Sequence, residues 1–190
     1  MILEIVKFGH PVLRQKGARI ESITPEIKQL IADMLETMHE AHGVGLAAQQ
    51  VGKALQLTVL DVRGATDRPS TFLRDGKEED IDTLMPMVLI NPAVKPTGET
   101  VTATEGCLSF PEIFAEISRP AMAEVTAMSE KGATITFRCT GLLSRAIQHE
   151  SDHLNGILYI DRMSRAEKEE LKPKIDELQA QTKEALKAKK

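Results

Sequence analysis

Apolar residues recur at helical spacing in three stretches of the chain. Ile27, Leu30, Ile31, Met34, Leu35 and Met38 keep the i, i+3, i+4 rhythm of one helix face. Thr24-Pro25 in front supplies an N-cap and a first-turn proline, and His42-Gly43 marks the end. The methionines read as core filling, and His39 and His42 sit where a helix C-terminus favours positive charge. Leu143, Ala146, Ile147 and Leu154 form the second stripe, closed by Asn155-Gly156. Leu171, Ile175 and Leu178 form a third, narrower one behind a capping box, Ser164-Arg165-Ala166-Glu167. Pro173 predicts a bend or break there, and the Lys- and Glu-rich remainder predicts a solvated helix.

The intervening segments alternate or run apolar, as strands do. Residues 55–62 place Leu55, Leu57 and Val59 on one side. Met87-Val88-Leu89-Ile90 reads as a buried strand closed by Asn91-Pro92. Residues 123–128 and 133–140 are joined as a hairpin through Glu130-Lys131-Gly132. In its second arm Ala133, Ile135, Phe137 and Cys139 share a face, which makes Cys139 a core residue. Residues 64–85 are charged and broken by Gly64, Pro69 and Gly76, so they read as a long exposed loop or insertion.

Composition narrows the function classes. One domain with a real core fits 190 residues of which 42% are hydrophobic. With 3% aromatics, no Trp and a net charge of −4, the chain has neither base-stacking platforms nor a basic field, so no nucleic-acid signature. No apolar run is long enough to span a bilayer, and the first residues resemble neither a signal nor a transit peptide. Two cysteines do not make a disulfide framework, which points to a cytoplasmic setting.

The chemistry lies in the second helix. His149-Glu150-Ser151-Asp152-His153 has the form H-E-x-x-H. Residues four apart on a helix share a face, so His149 and His153 can reach one metal ion, and Glu150 points to the apolar side. A buried carboxylate is costly unless it is paired or used. Catalytic metal sites commonly take three protein ligands. Downstream candidates for the third are Glu167, Glu169 and Glu170, which would make a zinc endopeptidase. The upstream candidate is Cys107, 42 residues before His149, in a loop between Gly106 and Ser109. Its thiolate would suit Fe(II) or Zn(II). A metal-free binding module is the reading from another class.

Three stretches together go further. Gly43-Val44-Gly45-Leu46-Ala47-Ala48-Gln49-Gln50, Glu105-Gly106-Cys107-Leu108-Ser109 and Gln148-His149-Glu150-Ser151-Asp152-His153-Leu154-Asn155-Gly156 resemble, in order, the three signature motifs of peptide deformylase. With Pro11-Val12-Leu13-Arg14 and Ser118-Arg119-Pro120, the resemblance covers residues 1–164, a catalytic domain with the 64–85 insertion; residues 165–190 form a charged C-terminal helix or tail. It implies an α+β fold: antiparallel strands around a central metal-binding helix, with an N-terminal amphipathic helix and a C-terminal helix.

It also implies Cys107, His149 and His153 as ligands of one divalent metal, Fe(II) first, with Zn(II), Ni(II) or Co(II) able to take the same donors. A metal-bound water would attack the formyl carbon of an N-formyl-methionyl peptide or nascent chain, with Glu150 as general acid/base. Gln50 and the backbone N–H of Leu108 would stabilise the oxyanion. Val44, Gly45 and Gly106 would pair with the extended substrate, and Leu142 would border the methionine pocket. A transient association with the ribosome would fit such a substrate. Gln49 departs from the family's usual small residue and is a competitor for the oxyanion contact. The 64–85 segment is expected to flank the substrate entrance.

Overall fold

The computed structural model describes residues 1–189. Helix α1 (Pro25–Glu40) begins as its sequence dictates, with the Thr24 hydroxyl accepting from the Ile27 N–H. Seven strands follow: β1 (Gly45–Ala47), β2 (Leu57–Leu60), β3 (Ser70–Arg74), β4 (Lys77–Glu79), β5 (Met87–Cys107), β6 (Phe110–Met128) and β7 (Thr134–Thr140). A one-turn helix, α2 (Ile81–Leu84), lies between β4 and β5; α3 (Gly141–Leu154) and α4 (Arg165–Ala188) close the chain. The strands form one antiparallel sheet in the order β1-β2-β5-β6-β7-β3-β4. The architecture is the expected α+β one, with α3 packed against strands from both ends of the sheet. Among the described residues, no helix is long and apolar enough to cross a membrane.

Four expectations change. The strand at 87–90 does not stop at Asn91-Pro92. Asn91 adopts φ 51° in a bulge, its side chain bonds both the N–H and the carbonyl of Ile20, and β5 runs on to Cys107. The 64–85 segment is more than an exposed loop: β3 and β4 form a hairpin that extends the sheet beyond β7, with Phe72 buried and stacked on Phe137 at 4.5 Å. Cys107 is the last residue of β5 and is not in a loop. Helix α4 continues through Pro173, its narrow stripe seating Ile175, Leu171 and Leu178 against Phe8, Val12 and Tyr159.

Candidate active site

Helix α3 is the centre of the site, and its first turn is held from outside. Its N-cap residue, Thr140, makes no side-chain cap. Instead Pro69 O accepts from the Leu142 N–H (3.3 Å) and Ser70 Oγ accepts from the Leu143 N–H (2.9 Å). Two of the four N–H groups that a helix start leaves without partners are therefore satisfied by the segment leading into β3. Gly141 is required there: its φ is +67°, and a Cβ would lie 2.0 Å from Pro69 O.

The sulfur of Cys107 and one nitrogen each of His149 and His153 lie within 4.8 Å of one another, and they are the only such cluster among the described residues. Cys107 Sγ is 3.3 Å from His153 Nε2. His149 Nδ1 donates to Glu105 Oε1 at 2.8 Å, which fixes the tautomer and leaves Nε2 free to ligate. The H-E-x-x-H spacing and the strand end are thus brought together as the sequence implies. Of the α4 carboxylates, Glu167 accepts from the Glu116 N–H and Glu169 pairs with Arg165, and none of Glu167, Glu169 and Glu170 belongs to the cluster.

Glu105 is the anchor beneath the histidine. Arg119 Nε and Nη2 donate to it at 2.6 and 2.9 Å, and Arg145 Nη1 donates at 2.7 Å. Arg119 also reaches Asp152 at 2.8 Å, which is gripped in turn by Arg162. Burial works against ionising Glu105, yet the hydrogen bonds from His149 and Arg119 hold its carboxyl well below the usual range. None of these roles was read from the sequence. Arg145 stands four residues before His149 on the same helix face, and Glu105 alternates with Cys107 on one face of β5; those spacings were the available signals.

Electrostatically the spot favours a cation. Burial lowers the basicity of His149, but the neighbouring Cys107 sulfur and Glu105 carboxylate hold it well above its ordinary value. Burial and the charge of His149 hold His153 well below its own. One oxygen of Glu150 and Nδ1 of His153 are buried without hydrogen-bond partners, and Glu150 is 4% exposed. Burial pushes the Glu150 carboxyl up to about 7. One sulfur and two imidazole nitrogens are a three-donor set that fits a borderline divalent metal with one position open, beside the orphaned Glu150 oxygen.

Cys107, His149 and Glu150 form one wall of a cavity of about 570 Å³. Val44, Gly45, Gln50, Gly106, Leu108 and Leu142 all line it, as do Cys107, His149 and Glu150. Gln50 Oε1 accepts from the Ala47 N–H at 2.9 Å, so its NH₂ is aimed at Ser109 Oγ (3.3 Å) and Cys107 Sγ (3.6 Å). Gln49 is no competitor: it is fully buried, with its amide nitrogen 3.4 Å from the carbonyls of Gln15 and Leu154. From the 64–85 segment, Arg68 reaches the cavity. Gly45 lies so close to Glu150 that a Cβ there would stand 2.6 Å from the carboxylate oxygen.

The chain is similar to known proteins over most of its length. A peptide deformylase of Opitutus terrae is 47% identical over 167 residues, which are 87% of this chain and 86% of that protein. One from Methylacidiphilum infernorum is 43% identical over 178 residues, 94% and 93% of the two chains. Among solved structures, a peptide deformylase from Synechococcus elongatus in complex with actinonin superposes with a TM-score of 0.76 at 39% identity, covering 90% of this chain and 85% of its own. The Thermotoga maritima peptide deformylase gives 0.73 at 38%, covering 86% and 99%. A model of the family described as polypeptide deformylase matches residues 2–169, a span that takes in the thiol, both imidazoles and the carboxylate between them, and the chain belongs to that family.

Proposed function

We propose that this chain removes the N-terminal formyl group from formyl-methionyl polypeptides, releasing formate, with Cys107, His149 and His153 holding one divalent metal. The observation that carries this reading is the trio of donors beside a buried, partnerless Glu150 oxygen on the wall of one cavity. The family resemblance suggests Fe(II), and a thiolate with two imidazoles would also suit Zn(II), Ni(II) or Co(II). When bound, such an ion supplies Lewis acidity and brings the pKa of a coordinated water towards about 7.

The chain's own residues do the rest. Glu150, held near neutrality by burial, takes a proton from the attacking water as oxygen adds to the formyl carbon. It returns that proton to the methionine nitrogen as the C–N bond breaks, leaving a free amine and formate. The Gln50 NH₂, pre-aimed by Ala47, and the Leu108 backbone N–H donate to the developing oxyanion. Donors of this kind contribute on the order of a hundredfold in rate. The peptide lies extended along the backbone of Val44, Gly45 and Gly106, and its methionine side chain enters beside Leu142. Glu105 and its arginines keep His149 in place through the cycle.

The test is formate release from N-formyl-Met-Ala-Ser by protein purified without air. Chelation should abolish it, Fe(II) or Ni(II) should restore it, and the N-acetyl peptide should not react. Formate release that persists after complete metal removal would overturn the reading.

A further inference from the structure

The hairpin carrying β3 and β4 brings one charged side chain to the cavity that the deformylase chemistry leaves unexplained. Arg68 lines the cavity and is exposed. The nearby arginines are paired, Arg63 with Asp61 and Arg74 with Glu79, while the adjacent Asp67 is exposed and makes no ion pair among the described residues. Arg68 has no carboxylate within ion-pairing distance among the described residues. The other charges lining the cavity are largely spoken for: Arg145 and Glu105 pair with each other, Glu150 is buried, and the Lys7 ammonium donates to Leu108 O at 2.9 Å. Glu112 is the one exposed acid there, and it belongs to β6.

The backbone beside Arg68 is held firmly. Its own N–H bonds Ala65 O, the next residue caps Leu142, Ser70 caps Leu143, and Ser70 bridges Gly141. The backbone that carries Arg68 is therefore anchored beside the first turn of α3. An arginine fixed by its backbone, free at its tip and open to solvent at the mouth of a peptide-binding cavity is suited to a carboxylate.

We propose that Arg68 is a specificity-determining residue that favours formylated peptides carrying an acidic side chain in the first two positions after formyl-methionine. The inference rests on the deformylase reading and names the substrate class it selects. An exposed pair of this kind acts through attraction of the acid and repulsion of a base, so its effect is modest, salt-sensitive and carried by KM.

The experiment compares kcat/KM for formyl-Met-Asp-Ser, formyl-Met-Lys-Ser, formyl-Met-Ala-Asp and formyl-Met-Ala-Lys, each as the C-terminal amide, on the metal-loaded wild type, R68K, R68A and R68E. The expected acidic-to-basic ratio is about five- to tenfold in the wild type at low salt, kept in R68K, near unity in R68A and inverted in R68E. It should shrink as salt is raised. Equal ratios in the wild type and R68E would overturn the inference while leaving the deformylase intact. So would a preference that appears only when the amides are replaced by free C-terminal acids. Failure to release formate from every peptide would overturn the deformylase reading itself, and this inference with it.

Discussion

Replacing Gly45 by alanine puts one methyl group against the reacting carboxylate. A Cβ at this position stands 2.6 Å from Glu150 Oε1, 2.9 Å from Cγ and 3.0 Å from Cδ, where ordinary contact begins at 3.4 Å. The carboxylate must retreat by about 0.8 Å, and misplacing a reacting group by about 1 Å costs on the order of a hundredfold in rate. Glu150 is buried on α3, so it cannot escape into solvent, but it is a side-chain end and the backbone need not move far. The three atoms nearest that methyl all belong to Glu150. G45A should therefore lose about a hundredfold in kcat for formate release. It should keep one metal per chain and shift its thermal midpoint by only a few degrees, as expected of a change worth about 1 kcal/mol. Formate release, metal analysis and thermal unfolding on one preparation decide the matter. A kcat within threefold of wild type, with the protein folded and metal-loaded, would refute the reasoning that Gly45 is there to make room for Glu150.

Three further outcomes follow from other parts of the molecule. Glu105→Gln leaves Arg119 and Arg145 buried with less compensation, so unfolding in urea should show a loss of about 3–5 kcal/mol, and chelator competition a metal affinity weaker by about 10–100-fold. Ser70→Ala removes the cap on Leu143 and should cost about 0.5–2 kcal/mol, read from the same urea transition. Asp61 is held at about 2, below its ordinary 3.8, chiefly by Arg63 and, against partial burial, by His39 as well. A depressed carboxylate stabilises the fold above its unfolded pKa, and that contribution is lost as pH falls through the folded value. The stability difference between wild type and Asp61→Asn should therefore be full above about pH 4 and disappear towards pH 2; a difference independent of pH in that range would refute the assignment.

The site was legible in the sequence where local period carries the information. Two histidines four apart on an apolar stripe, with a glutamate facing inward, single out α3 as the candidate metal helix, and Thr24-Pro25 starts α1 as written. What escaped depends on tertiary context. Asn91-Pro92 reads as a stop, because a proline usually ends a strand, yet Asn91 accommodates it in a bulge by bonding Ile20. The β3–β4 hairpin shows only Phe72 to the core, too thin a signal for a strand, and its value lies in capping α3, which no local pattern encodes. Glu105, Arg119 and Arg145 come from two strands and a helix, so their convergence under His149 is visible only once the chain is folded.

In the proposed mechanism Glu150 carries the proton within a metal site built by Cys107, His149 and His153. The most direct measurement is single-preparation turnover of N-formyl-Met-Ala-Ser by Glu150→Gln, with metal content determined on the same sample. The expected result is one metal per chain, as in the wild type, and a formate release rate lower by about 10²–10⁴-fold. A metal-loaded Glu150→Gln enzyme that turns over at the wild-type rate would contradict it.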